Sequence, residues 1–265
     1  MNIRIVAKAL GFPALIFSTL SAISSAAYAQ ECTLIIDART GVTVEETGEC
    51  DHRYTAASTF KVALALMGYD SGILTDAHSP LWNWQEGMRA PARDKKPVDP
   101  TIWQADSVLW YSRELARNLG AQRFSSYVGS FNYGNMDISG EPGKRNGLSH
   151  AWIASLAISP REQTTFIRRM LAHELPVSPA AIEQTMAIVP TFSTRSGWRV
   201  HGKTGSGWTR DARGQIQRSR PEGWFVGWAE REGRVVAFAR LGIGIVEGRQ
   251  GLIEQEKLLA TLDSL

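Results

Sequence analysis

The chain has 265 residues, 43% of them hydrophobic, with 29 basic against 26 acidic side chains. That is enough length and apolar material for one large domain or two intertwined lobes around a well-formed core. The near-balance of charge offers no electrostatic case for a nucleic-acid or membrane-surface partner. Two cysteines and five scattered histidines give no metal-ligand spacing, so no metal is expected.

The N-terminus has to be set aside before any fold reasoning. Arg4 and Lys8 supply a basic start, 9–23 is a mostly apolar run, and 24–29 closes on Ala27-Tyr28-Ala29. This is the layout of a secretory signal peptide, and the apolar run is too short and wrongly flanked for a permanent membrane span. Cleavage after Ala29 leaves 30–265 as the working domain. With Arg4 and Lys8 gone, the 29 basic residues fall to 27 against 26 acidic ones. The chain is therefore expected to be exported to the periplasm, with no membrane association after processing.

The stretch CTLIIDARTGVTVEETGEC predicts two alternating strands around a turn at Arg39-Thr40-Gly41. A symmetric hairpin centred on Gly41 sets Cys32 opposite Cys50. An exported chain meets an oxidising compartment, so the pair is read as a disulfide, with two free thiols as the alternative. Ser58 to Gly68 is expected to be helical, and 76–100 mostly irregular. Val108 to Leu119 predicts a helix closed by Gly120, and Gln122 to Phe131 another. The Gly-, Asn- and Ser-dense run 132–149 is a loop. Ser159 is an N-cap with Pro160 at the first helical position and Glu162 in the first turn. A further helix is expected over 179–189. Glycine-broken β runs then follow, and a helix from about Gln250 to Leu265 ends the chain. Strands at both ends and helices between them predict an α/β (α+β) fold. It has a mainly antiparallel sheet formed from both chain ends, flanked by helices, with an inserted helical lobe.

Ser58 and Lys61 stand at i and i+3, on one face of the first helix. A serine needs a neighbouring base to become a nucleophile, and free amides at a helix start can hold a developing oxyanion. Such a pair in isolation is ordinarily an N-cap serine one turn from a surface lysine. Here Lys203-Thr204-Gly205 lies on a predicted strand far downstream, where an amine and a hydroxyl suit a substrate carboxylate and the glycine allows close backbone approach. Ser-x-x-Lys followed by Lys-Thr-Gly is the signature of serine β-lactamases and penicillin-binding proteins.

Ser58-Thr59-Phe60-Lys61, Ser107-Val108-Leu109, Tyr133-Gly134-Asn135 and Lys203-Thr204-Gly205 together resemble the four ordered motifs of the class D, or OXA-type, β-lactamases. The likeness extends to WIASLAISPREQ and to Trp224 and Trp228, across nearly all of 30–265. Leu109 stands where that family usually has valine. The resemblance implies a hydrolase that opens penicillin- and cephalosporin-type rings through an acyl-enzyme on Ser58, conferring resistance. It implies that Lys61 takes up CO2 as a carbamate, the only cofactor expected, and serves as general base. It further implies that Ser107 relays a proton, Trp152 hydrogen-bonds the carbamate, and the amides of Ser58 and Ser206 form the oxyanion hole. Tyr133, Asn135, Lys203, Thr204 and Gly205 would line the substrate site. Arg249 would grip the substrate carboxylate, with Arg240 as the alternative. The residues fit this role, because burial favours a neutral lysine amine and indole N–H is a pure donor. A β-lactam sensor domain, which acylates without deacylating, and a cell-wall transpeptidase are the competing readings.

Overall fold

The computed structural model describes residue 1, 30–244 and 250–265, so the expected signal peptide lies outside the described residues. The chain opens with β1 (Gln30–Asp37) and β2 (Thr43–Gly48), followed by the short β3 (Tyr54–Thr55). A 3₁₀ turn over Ala57–Phe60 leads into α1 (Lys61–Asp70). The middle of the chain holds α2 (Pro100–Asp106), α3 (Leu109–Ser130), α4 (Gly147–His150), β4 (Ala157–Ile158), α5 (Pro160–Leu171) and α6 (Pro179–Ile188). The C-terminal part returns to β structure with β5 (Thr191–Ser193), β6 (Arg199–Arg210), β7 (Ile216–Arg231) and β8 (Arg234–Ile243). The last element is α7 (Gln250–Asp263).

The main sheet runs β2-β1-β8-β7-β6-β5, and every pairing in it is antiparallel. The N-terminal hairpin thus docks on β8, uniting the two chain ends in one sheet as expected. Side chains alternate across it. Cys32, Leu34, Trp224, Val226, Ala237 and Ala239 enter the larger core. Ile35, Phe225, Val236 and Phe238 instead pack with Leu258 and Leu262 of α7. β3 and β4 form a separate two-stranded ladder beside the nucleophile segment.

Local signals account for the helix boundaries. Ser159 makes a full capping box with Glu162, and Pro160 occupies the first turn of α5. Gly120 interrupts α3 at φ 76°, ψ 159°, which separates the two helices expected on either side of it. α2 was not anticipated, although its start signal is plain: Asp99 accepts from the Ile102 amide and Pro100 follows.

Cys32 and Cys50 are bonded, with Cα atoms 5.2 Å apart. The register differs from the symmetric expectation. Cys32 pairs with Gly48, a bulge interrupts the ladder between Ile35 and Ile36, and Cys50 lies two residues past the end of β2. Gly48 at φ 78° lets the chain turn back so that the second sulfur reaches the first. Among the described residues, no helix is long and apolar enough to cross a membrane.

Candidate active site

α1 is buried from Lys61 through Tyr69, on all sides rather than along one stripe. Its lysine is 1% exposed. Ser58 sits in the 3₁₀ turn, where residues three apart eclipse one another, so Lys61 lies directly over it. Lys61 Nζ donates to Ser58 Oγ at 3.0 Å. Burial, and then the nearby positive charge of Lys203, push the Lys61 amine well below the usual lysine range. Gln104 of α2 donates to the Lys61 carbonyl at 2.9 Å, fixing the backbone at this point.

Trp152 arrives from the short 3₁₀ turn Ala151–Ile153 and stacks on Phe60, with ring centroids 5.6 Å apart and planes 12° from parallel. It is 1% exposed, and its Nε1–H has no hydrogen-bond partner among the described residues. A buried indole donor without an acceptor is costly. The ring stacked on Phe60, the residue before Lys61, therefore carries an unmatched donor, suited to an anionic oxygen.

Ser107 joins α2 to α3 in the left-handed region at φ 59°, ψ 38°. Ala57, immediately before the nucleophile, is also left-handed at φ 49°. A non-glycine residue held this way costs on the order of 1–3 kcal/mol and persists only where its surroundings enforce it. Ala57 adjoins Ser58 in the chain, and Ser107 is itself the serine of the second motif.

Lys203 is buried on β6, where burial lowers its pKa to about 7, and its Nζ donates to the Thr204 carbonyl at 3.0 Å. Gly205 explains the third position of the motif. A Cβ there would come within 3.2 Å of Thr59 Cγ2 and 3.4 Å of Ala57 Cβ, so glycine lets the nucleophile turn lie against the strand. The Gly202 amide donates to Pro190 O, on the β5 side of β6. Amides two apart on a strand face the same way, so the Thr204 and Ser206 amides point to that side too. β5 pairs only with Arg199 to His201, which leaves the Ser206 amide on an open edge. The Ser206 hydroxyl accepts from the Gly251 amide at 2.9 Å, tying β6 to α7.

Tyr133 and Asn135 are held by internal contacts. Tyr133 is buried, meets the Phe60 ring edge-on at 5.2 Å and donates its hydroxyl to Gln163 Oε1 at 3.2 Å. Gln163 in turn donates to Thr59 Oγ1 at 2.7 Å. Asn135 donates to Ser155 O and accepts from the Ala157 amide, so its side-chain amide pins the 132–149 loop to β4. Both support the wall behind the nucleophile through these contacts. Arg240 is likewise engaged. Its guanidinium donates to Glu254, Glu31 and Thr33. Arg249 lies outside the described residues. Gln104, Gln163 and Glu222 were missed. Burial of a polar side chain is a tertiary property, and no motif marks them.

The penicillin binding protein transpeptidase domain family matches residues 31–242. The β-lactamase OXA-9 of Klebsiella pneumoniae is 52% identical over 217 residues, covering 81% of this chain and 79% of that protein. The chain belongs to the class D, OXA-type, serine β-lactamases. The β-lactamase OXA-1 of Escherichia coli is 33% identical, over 74% of this class D chain and 70% of its own length. The crystal structure of the class D β-lactamase OXA-427 superposes with a TM-score of 0.83 at 39% identity, covering 88% of this chain and 97% of that one. The mixed fold with its antiparallel sheet is thus that of the class D hydrolases.

Proposed function

We propose that residues 30–265 form one exported, periplasmic domain that hydrolyses β-lactam antibiotics through an acyl-enzyme on Ser58, with Lys61 carboxylated by CO2. The observation that carries this reading is the buried amine of Lys61 3.0 Å from Ser58 Oγ, with the unpartnered Trp152 N–H on the ring stacked against the adjoining Phe60. The Cys32–Cys50 bond supports an oxidising compartment.

Burial keeps Lys61 neutral, so its nitrogen lone pair is free to bond CO2 as an N–H proton leaves. The carbamate so carried supplies the general base for acylation and deacylation. As the carbamate takes the Ser58 hydroxyl proton, Oγ bonds the lactam carbonyl carbon, and the amides of Ser58 and Ser206 receive the developing oxyanion. The C–N bond then breaks, and the Ser107 hydroxyl passes a proton to the departing nitrogen. Lys203, Thr204 and Arg249 receive the substrate carboxylate. Water cleaves the Ser58 ester and restores the free hydroxyl.

Steady-state hydrolysis of a penicillin, read together with intact-protein mass spectrometry, tests the assignment. The native protein is expected to turn over continuously, Ser58→Ala to carry no adduct, and Lys61→Ala to hold any acyl group it acquires. Stable acylation of the native protein without turnover would instead identify a sensor.

A further inference from the structure

The most anomalous side chain in the molecule lies outside the four motifs. Glu222, on β7 two residues before Trp224, is 0% exposed. A buried carboxylate ordinarily has a cation or several donors to match its charge. Glu222 has neither. Its Oε1 meets the Thr55 hydroxyl, and Oε2 has no hydrogen-bond partner among the described residues. A single hydroxyl does not stabilise a buried anion, whereas a neutral carboxyl can carry its proton on Oε1 and share it with the Thr55 oxygen, leaving only an uncharged carbonyl oxygen without a donor.

Its location gives the group a task. Thr55 ends β3 and stands three residues before Ser58. Trp224 Nε1 donates to the Thr55 carbonyl at 3.1 Å, so two neighbouring residues of β7 hold the same residue. On the other side, Gly207 of β6 faces the carboxyl so closely that a Cβ there would lie 2.8 Å from Glu222 Oε1. The carboxyl is therefore wedged between the chain that leads into the nucleophile and the strand that carries Lys203, Thr204 and Ser206.

We propose that Glu222, bonded to Thr55 and packed against Gly207, is a positioning residue that latches the Ser58 segment to β7 alongside β6 and so sets the spacing of the Ser58 and Ser206 amides. The inference rests on the acylation reading given above. Burial is the dominant influence on the group and holds its proton up to about pH 7. The charged and titratable groups around it are Arg210 on β6, Arg220 on β7, and His52, Arg53 and Tyr54 on the segment through β3. These residues line an adjacent cavity of about 350 Å³. Arg53 pairs with Glu162 and Arg220 donates to Gln30, while Arg210 donates through both terminal nitrogens to Gly214 O and Ile153 O and keeps a buried Nε–H without a partner among the described residues. Once its proton leaves for solvent, the carboxylate is drawn towards Arg210 and Arg220 across that cavity. The latch then opens.

Two measurements on the full-length processed protein test this. Infrared difference spectroscopy should show the carbonyl stretch of a protonated carboxylic acid on the acid side of neutrality. The band should vanish well on the alkaline side and be missing at both in Glu222→Gln. In steady-state penicillin hydrolysis, kcat of the native enzyme should fall as pH rises through neutrality. Glu222→Gln, neutral at every pH, should keep its activity and lose that part of the fall. Glu222→Ala should lower kcat by between about 10- and 100-fold, the cost of misplaced reacting groups, with a smaller change in KM. An absent acid band in the native protein, or a pH profile unchanged in Glu222→Gln, overturns the proposal. A native enzyme that turns over no β-lactam defeats the acylation reading itself, whatever the infrared result.

Discussion

Lys61 and Trp152 form a matched pair of anomalies, a buried amine whose pKa is pushed well below the usual lysine range and a buried indole donor without an acceptor among the described residues. Trp152→Phe keeps the stack on Phe60 and removes only the donor. A hydrogen bond to a charged group contributes about 1.5–3 kcal/mol, so hydrolysis should fall roughly 10- to 100-fold while the melting temperature barely moves. Added bicarbonate should recover part of the loss, because a weakened carbamate responds to mass action; kinetics across a bicarbonate series checks this. Lys61 was legible from sequence because its partner is three residues away and the geometry is local. Glu222 was not, because it is paired with Thr55 from the far end of the chain, and nothing near it in sequence announces its burial.

At the scale of elements, the caps and breaks were readable and the exact register was not. Ser159, Pro160 and Glu162 each act within one helical turn, so their meaning survives without tertiary context. Ser159→Ala removes the cap and should cost about 1 kcal/mol. For a domain of this size that is a fall of roughly 2–4 °C in melting temperature, with hydrolysis at room temperature preserved. A thermal melt and an activity assay on the same sample separate the two. The hairpin register was mispredicted because a bulge at Ile35/Ile36 and the turn at Gly48 shift Cys50 past the strand. The disulfide nevertheless forms, since the turn brings the sulfur back. Replacing both cysteines by serine should cost between about 2 and 4 kcal/mol, read from denaturant midpoints. Tyr133 and Asn135 show the limit of motif reading. Their order along the chain was legible, but their facing behind Phe60 and towards β4 depends on how the 132–149 loop folds back.

At the scale of the whole molecule, the sheet drawn from both chain ends was legible from the distribution of strand and helix signals. What was not legible is that two buried ionisable groups, Lys203 and Glu222, sit on adjacent strands of it. Their linkage to pH has opposite sign. Glu222 holds its proton to about 7 in the folded chain against a usual value of 4.5. The stability linked to it is therefore greatest below 4.5 and is lost as pH rises through about 7. Lys203 falls from 10.5 to about 7, so its linked stability is present above 10.5 and is lost as pH falls towards about 7. The two together predict a minimum in their joint contribution near neutrality. Glu222→Gln should flatten the acid side of the denaturation profile and leave the Lys203 limb; urea unfolding across pH checks both.

The central claim is that a carboxylated Lys61 serves Ser58, and penicillin turnover measured in buffer stripped of CO2, then resupplied with bicarbonate, tests it most directly. The native enzyme should lose hydrolysis on stripping and regain it on resupply, while Lys61→Ala stays deficient in deacylation under both conditions. Native turnover indifferent to bicarbonate, together with normal deacylation by Lys61→Ala, would contradict the assignment of Lys61 as the source of the base.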